Sequence, residues 1–181
     1  MARIQDVAFH LVAEHGFAAV TVEEIAAAAD VSPATIYRMF GTKDAILLWD
    51  PFEDPVMEAI ASALADGVPP LPAVRRGVAQ VLEPLDPRRE GELLDFVRFV
   101  FAEGPLREAA WARMETFHQG MAAMLERAGF GELEAAVLSA SVVAVLWAGI
   151  DVWQRAPEGD RLSAICDRSL RVLGSLASIE A

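Results

Sequence analysis

No stretch of this sequence alternates apolar and polar residues for long enough to form a β-strand, and this feature limits the fold more than any other. Between the glycines and prolines, apolar residues recur three and four positions apart, which is typical of amphipathic helices. Helices are predicted over about residues 3–15, 21–29 and 33–40, after Thr42, and over about residues 55–65, 72–83, 90–102, 105–128, 132–155 and 160–177. The chain is therefore predicted to be all-α.

The helical pattern weakens once, after the fourth predicted helix. Pro51 and Pro55 cannot both lie inside one continuous helix, because proline lacks the amide hydrogen and clashes with the preceding turn. We therefore expect two domains: a small helical head over residues 1–48 and a larger helical body over residues 49–181.

Composition narrows the class of protein. Hydrophobic residues make up 54% of the chain, which argues against disorder. The single cysteine, Cys166, allows no internal disulfide and fits a reducing compartment, and the N-terminus lacks the layout of a signal peptide. The sixteen-residue apolar run Ala135–Ile150 is shorter than the ~20 residues that span a bilayer, so we predict a buried helix and a cytoplasmic protein that does not enter a membrane.

Residues Thr21–Ile46 have the pattern of a helix-turn-helix. The segment Thr21-Val-Glu-Glu24 predicts a capping box, and Ser32 followed by Pro33 predicts the start of the next helix. In this motif the second helix lies in the major groove of DNA. If Ile36 and Phe40 face inward, the outward set is Pro33, Ala34, Thr35, Tyr37 and Arg38.

The outward side chains suit a DNA groove. A threonine hydroxyl can bind a base or a phosphate, an arginine can pair with guanine, and small apolar groups can contact thymine methyl groups. Lys43 is predicted as a phosphate contact, and Thr21 lies where the preceding helix would meet the DNA backbone. The net charge of −12 disfavours nucleic-acid binding over the whole surface but allows a local patch.

Three motifs carry a resemblance to a known family. They are A-x-x-L-V-A-E-x-G-F from Ala8, T-V-x-x-I-A from Thr21 and V-S-x-x-T-I-Y-x-x-F-x-x-K from Val31. Residues 3–46 resemble the DNA-binding domain of the TetR family of transcriptional repressors. The resemblance implies DNA contacts from Thr35, Tyr37 and Lys43, tuning of sequence preference by Ala34 and Arg38, and a homodimer that binds a palindromic operator.

The sequence departs from the family pattern at one place. Members often carry a basic segment before the first helix, whereas this chain has only Arg3 there. Fewer neutralised phosphates predict weaker binding that depends less steeply on salt.

The body is predicted to bind a ligand and to dimerise. Its middle helices are rich in aromatic and methionine side chains, which suit an adaptable apolar cavity, although a plain core uses the same residues. The predicted cavity residues are Phe96, Phe99, Trp111, Met114, Phe117, His118, Met121, Trp147 and Asp151. The last two helices are predicted to pair across a two-fold axis through Val145, Ala148, Val152, Leu162, Cys166, Leu170 and Leu173, although they could instead complete the core of one subunit.

The body also resembles the TetR subgroup with acyl-CoA-like effectors. The residues that carry this likeness are W-D-P-F from Trp49, P-L-R-E-A-A-W from Pro105 and A-G-I-D-V-W from Ala148. The resemblance implies a repressor that is released from DNA by a small apolar effector and needs no cofactor.

Two other classes of protein have less support in the sequence: an enzyme or metalloprotein, and a scaffold protein. An enzyme or metal site finds little support, because Glu115 and His118 form one Glu-x-x-His unit where a di-iron bundle needs two, and Cys166 lies on an apolar stripe. The alternative to a regulator is an all-α scaffold or interaction protein that keeps the helix-turn-helix without binding DNA. The excess of negative charge in the head supports this alternative, because it disfavours binding to DNA.

Overall fold

The structure is a computed structural model that describes residues 1–156 and 160–177. Within these residues all regular secondary structure is α-helical. The helices are α1 (Ala2–His15), α2 (Val22–Ala28), α3 (Pro33–Phe40), α4 (Lys43–Leu47), α5 (Glu53–Ala65), α6 (Pro70–Leu82), α7 (Pro87–Ala102), α8 (Gly104–Arg127), α9 (Glu132–Arg155) and α10 (Leu162–Ala177). The predicted all-α fold is confirmed.

The chain folds as two compact units, Met1–Pro51 and Phe52–Ala181. The first holds α1–α4 and the second holds α5–α10. Pro55, which was expected to begin a helix, lies in the first turn of α5, which begins two residues earlier at Glu53. A proline is tolerated there because the first amides of a helix have no partner within the helix.

A small apolar core holds the first unit, called the head below. Its members come from all four helices and are buried at 0–6% exposure: Ile4, Ala8, Val12, Ile25, Ala26, Ile36, Ile46 and Leu47. The side-chain amide of Gln5 donates to the carbonyl oxygens of Leu47 (2.8 Å) and Trp49 (2.6 Å). These bonds fasten the end of α4 to α1, because the last carbonyls of a helix have no partner within it.

The helix starts and the turn in the head follow the sequence signals. Thr21 and Glu24 form the predicted capping box, and Ser32 accepts a hydrogen bond from the amide of Thr35 at the start of α3. Between α2 and α3, Asp30 has a φ of 56°, in the left-handed region that aspartate tolerates better than most residues. This sharp turn sets the direction in which α3 leaves α2.

The second unit, called the body below, is built around one continuous core to which α5, α6, α8, α9 and α10 contribute buried side chains. α5 and α6 approach closely at Gly77, where an added Cβ would lie 2.6 Å from Cγ1 of Ile60. α6 and α10 are joined by an ion pair, in which an Nη of Arg75 lies 2.7 Å from Oδ1 of Asp167. Partial burial works against the charge of Asp167, but hydrogen bonds from Arg171 and Arg75 outweigh it and lower its pKa.

α9 differs from the buried helix that the sequence predicts. One face is buried in the body through Ala135, Ser139, Val142, Val143, Gly149 and Trp153. The opposite face is exposed and carries a line of apolar residues, called the α9 stripe: Leu133, Val137, Ala140, Ala144, Ala148 and Val152. Its members recur three or four positions apart, so they form one row along the helix.

By length and composition α9 could also cross a membrane, and 28% of its most apolar window is buried. A core helix of a soluble protein meets the same criterion. One face of α9 packs in the body through Val142 at 0% and Trp153 at 2% exposure. The residues of the α9 stripe are exposed in the single chain.

Candidate nucleic-acid interface

α3 is amphipathic. Because Ile36 packs into the head, the residues on the other sides of α3 are left exposed. Ile36 is fully buried in the head, and Phe40 is half-buried one turn later. Pro33, Ala34, Tyr37 and Arg38 are exposed, and Thr35 is half-buried. Of the five α3 residues predicted to read DNA, four are therefore exposed and Thr35 is partly exposed, whereas Ile36 alone is buried.

The two threonine hydroxyls already have partners within the head. Oγ1 of Thr35 lies 2.9 Å from Oγ of Ser32, and Oγ1 of Thr21 donates to Glu24 over 2.9 Å. A hydroxyl can accept two hydrogen bonds and donate one. Thr35 therefore keeps capacity for a base or phosphate at the exposed start of α3, whereas Thr21 is committed to the cap of α2.

Tyr37 contacts a residue that sequence analysis did not single out. Its hydroxyl donates to Oε1 of Glu23 over 3.3 Å, and both side chains are exposed. The negative charge of Glu23 raises the pKa of Tyr37 above its ordinary value. The pair joins the exposed side of α2 to that of α3.

Lys43 lies against the loop between α1 and α2. Its ammonium donates to the carbonyl oxygens of Phe17 and Val20, the second over 2.6 Å, and lies 4.2 Å from the centre of the Phe17 ring. An ammonium has three donor hydrogens. Two are used to hold the loop, and one remains for the phosphate contact that the sequence predicts.

Arg38 is the free cation of this surface. No hydrogen bond or ion pair within the described residues engages its guanidinium, and it is exposed on α3. Met39 beside it is 38% exposed and was not among the predicted DNA contacts. Arginine can form paired hydrogen bonds with guanine, and a thioether can contact a thymine methyl group.

Residues 4–48, which include this whole surface, match the family described as "Bacterial regulatory proteins, tetR family". This match covers about a quarter of the chain and shows that the head is similar to that family. TetR-family proteins are DNA-binding transcriptional regulators and not enzymes. They bind DNA and small-molecule ligands as dimers.

Solved structures of TetR-family regulators share the fold of both units. FadR of Thermus thermophilus, described as a transcriptional repressor in complex with lauroyl-CoA, is 22% identical with a TM-score of 0.55, over 95% of this chain and 92% of that chain. The fatty acid degradation regulator FadR of Bacillus halodurans is 20% identical with a TM-score of 0.56, over 95% and 93%. A transcriptional regulator from Aquifex aeolicus is 19% identical with a TM-score of 0.54, over 97% and 98%. No curated protein matches the sequence.

The residues of the body that were predicted to line a cavity differ in their surroundings and exposure. Met121 is fully buried in the core, whereas Trp111 is 54% exposed. Asp151 is paired with Arg155, with 2.5 Å between the charged atoms. The remaining six are half-buried: Phe96, Phe99, Met114, Phe117, His118 and Trp147.

Two of these residues meet at a surface hollow. Trp111 lies edge-to-face with Trp147 at 5.3 Å between ring centres, and Phe101 stacks on Trp147 at 5.0 Å. The hollow has a volume of about 320 Å³ and is lined by the two tryptophans with Arg107 and Glu108. His118 has a buried Nε2 without a hydrogen-bond partner in the described residues.

The residues predicted for the dimer interface fall into two groups, one in or against the core of the body and one exposed on α9. Leu162, Cys166 and Leu170 are buried in the core of the body, and Val145 and Leu173 pack against that core. Ala148 and Val152 are exposed and belong to the α9 stripe. The α10 positions are therefore covered within one chain, whereas Ala148 and Val152 are not.

Proposed function

We propose that this chain is a ligand-responsive repressor that binds a palindromic operator as a homodimer. The observation that carries the proposal is the outer side of α3, where Thr35, Tyr37 and Arg38 are presented together while Ile36 holds the helix to the head. In a helix-turn-helix this side meets base edges, and two copies read half-sites about 34–36 Å apart. The protein would act in the cytoplasm.

The proposed DNA contacts differ in the part of the DNA that each side chain would bind. Arg38 would pair with a base, Thr35 and Tyr37 would contact phosphate or a base edge, and Lys43 would use its third donor on a phosphate. Pro33 and Ala34 would contact thymine methyl groups, and Thr21 would approach the DNA backbone at the start of α2. Because the head carries three fixed cations, Arg3, Arg38 and Lys43, we expect a shallow salt dependence.

A direct test is selection of bound duplexes from a random library, followed by gel retardation with the enriched sequence. A palindromic consensus and retardation by the wild-type chain would support the proposal. Arg38→Ala should lower affinity and relax the base preference at one position of each half-site. Retardation of no duplex at low salt would favour the alternative, an all-α scaffold that does not bind DNA.

A dimer is supported by the α9 stripe. Six apolar or small side chains in one row are typical of a helix that a partner covers, and small residues allow two helices to approach closely. A second copy of the same helix would cover them across a two-fold axis. Val145, Leu162, Cys166, Leu170 and Leu173 would hold α9 and α10 in position beneath this surface.

We propose that the effector is a small molecule with an apolar part, such as an acyl chain, of the acyl-CoA-like class. The support is the fold shared with a repressor described with lauroyl-CoA, together with the half-buried aromatic and methionine side chains of the body. The unpartnered Nε2 of His118 would offer one polar contact for orientation. The effector would release DNA by binding more tightly to the state in which the two heads do not fit the half-sites.

This effector class is tested by titration of the protein–operator complex with lauroyl-CoA and, separately, with laurate and with coenzyme A. Release of DNA by lauroyl-CoA at lower concentration than by either part alone would support it. Release by none of the three would contradict it.

A further inference from the structure

We propose that Glu23 is an intramolecular competitor for DNA: its carboxylate holds the hydroxyl of Tyr37 in the free protein and lowers the affinity of the head for DNA of every sequence. The inference rests on the proposed function, because it needs Tyr37 to meet the DNA backbone. It adds a residue on α2 whose effect opposes that of the side chains on α3.

The geometry supplies the first argument. Glu23 and Tyr37 are 14 positions apart and lie on different helices, yet Oε1 of Glu23 accepts the hydroxyl proton of Tyr37 over 3.3 Å. A tyrosine hydroxyl has one hydrogen to donate. A DNA phosphate oxygen that accepted this hydrogen would have to displace the carboxylate.

Charge supplies the second argument. A phosphate that bound the Tyr37 hydroxyl would lie within a few ångströms of Glu23, and the two negative charges would repel. No lysine, arginine or histidine among the described residues pairs with Glu23, so its charge is not neutralised within the head. Repulsion between unit charges about 4 Å apart in water corresponds to about a fivefold change in an equilibrium constant.

Glu24, the other carboxylate in the first turn of α2, has hydrogen-bond partners that Glu23 lacks. Glu24 accepts hydrogen bonds from the amide and the hydroxyl of Thr21 over 2.8 and 2.9 Å, so its charge stabilises the start of α2. Glu23 makes no cap, and its one described side-chain partner is Tyr37. Apart from the favourable interaction of its charge with the N-terminal end of α2, the residue contributes little to the helix that a glutamine would not also contribute.

The contact itself can be measured without DNA. Tyr37 is the only tyrosine in the chain, so absorbance at 295 nm above pH 9 reports its ionisation alone once the Tyr37→Phe spectrum is subtracted. Glu23 raises the pKa of Tyr37. In Glu23→Gln we expect this pKa to fall toward the ordinary value of about 10. An unchanged titration curve would overturn the contact on which the proposal stands.

The effect on DNA is tested by a double-mutant cycle. Affinity is measured for a random 30-base-pair duplex and for the selected operator, with wild type, Glu23→Gln, Tyr37→Phe and the double variant. We expect Glu23→Gln to bind both duplexes about fivefold more tightly than wild type and to gain clearly less in the Tyr37→Phe background. An equal gain in both backgrounds would overturn the proposal, because the carboxylate would then not act through Tyr37.

A matched control variant distinguishes the position of Glu23 from the mere loss of one negative charge in the head. Glu14→Gln removes the same charge from another exposed carboxylate of the head, which lies 3.9 Å from His15. We expect it to change DNA affinity much less than Glu23→Gln does. Equal gains from both variants would count against the proposal, whereas failure of the wild-type protein to bind any duplex would contradict the proposed function and leave the titration of Tyr37 to decide on the contact.

Discussion

At the scale of single residues, Lys43 holds a loop and is also proposed to contact a DNA phosphate. It fastens the α1–α2 loop by binding the carbonyl oxygens of Phe17 and Val20, and the resemblance assigns it to a phosphate. Both functions are compatible, because the loop uses two of three donors. A loop held in this way also keeps the remaining donor in a fixed direction.

Replacement of this lysine should reveal both functions. We expect Lys43→Met to lower the melting temperature of the protein, because the two loop carbonyls lose their donor. We also expect the slope of log K against log salt to become shallower by about 0.9, the value for one phosphate contact. The measurement is gel retardation from low to moderate salt alongside thermal denaturation. A lower melting temperature with an unchanged slope would show that Lys43 only holds the loop.

Cys166 provides a prediction that follows from burial. It is 4% exposed in the body core, and burial raises the pKa of its thiol to about 12. The thiolate is the reactive form, so the thiol should not react with an aromatic disulfide reagent at pH 8 in the folded protein. Addition of denaturant should expose one reactive thiol per chain. Rapid reaction under native conditions would contradict the placement of Cys166 in the core.

Some residue-level features were predictable and others were not. The Thr21–Glu24 capping box and the Ser32 cap follow from residues three positions apart, so the sequence alone reveals them. The Glu23–Tyr37 and Lys43–Phe17 contacts join residues 14 and 26 positions apart. Their partners depend on how the helices pack, which local spacing does not determine.

At the scale of helices, the close approach of α5 and α6 depends on Gly77. An added Cβ would lie 2.6 Å from Cγ1 of Ile60, 3.0 Å from its backbone nitrogen and 3.2 Å from the carbonyl oxygen of Val56. Backbone atoms cannot move aside without a shift of the whole helix. The small side chain is therefore required by packing.

We expect Gly77→Ala to destabilise the protein by about 1–3 kcal/mol, the usual cost of overpacking. Gly91→Ala on α7 is the matched control, because an added Cβ there meets nothing within 4 Å. The control should be neutral or stabilising by up to about 1 kcal/mol, since alanine favours helix more than glycine does. Urea denaturation measures both. Equal midpoints for the two variants would contradict the close contact.

The bounds of the helices were largely predictable, but the exposure of their faces was not. α9 begins and ends at the predicted residues 132 and 155. Its apolar run Ala135–Ile150 was expected to be buried, yet Val137 within the run is 57% exposed, and Val152 just beyond it is 50% exposed. A helix that is apolar on most sides does not reveal which side its own subunit covers and which side is left for a partner.

At the scale of the whole molecule, the state of assembly is the property to test. If a second copy covers the α9 stripe, a charge at its centre should separate the copies, because the carboxylate would lose its water without gaining a partner. We expect Ala144→Glu to sediment as a monomer at concentrations where the wild type is a dimer. Ala61→Glu, an equivalent change at an exposed position of α5, should leave the dimer intact.

The same pair of variants links assembly to DNA binding. Ala144→Glu should lose most of its affinity for the palindrome and much less for a single half-site, since one head alone cannot use both half-sites. A wild type that sediments as a monomer at every accessible concentration would contradict the homodimer.

The α9 stripe has a consequence for regulation in the cell. Chains joined through a reversible contact are dimers only when they are abundant, so the number of copies per cell would set the share of molecules able to hold both halves of an operator. Repression would then rise with roughly the square of protein abundance near that threshold. A promoter under such control would respond to modest changes in synthesis or proteolysis of the protein, even with no effector present.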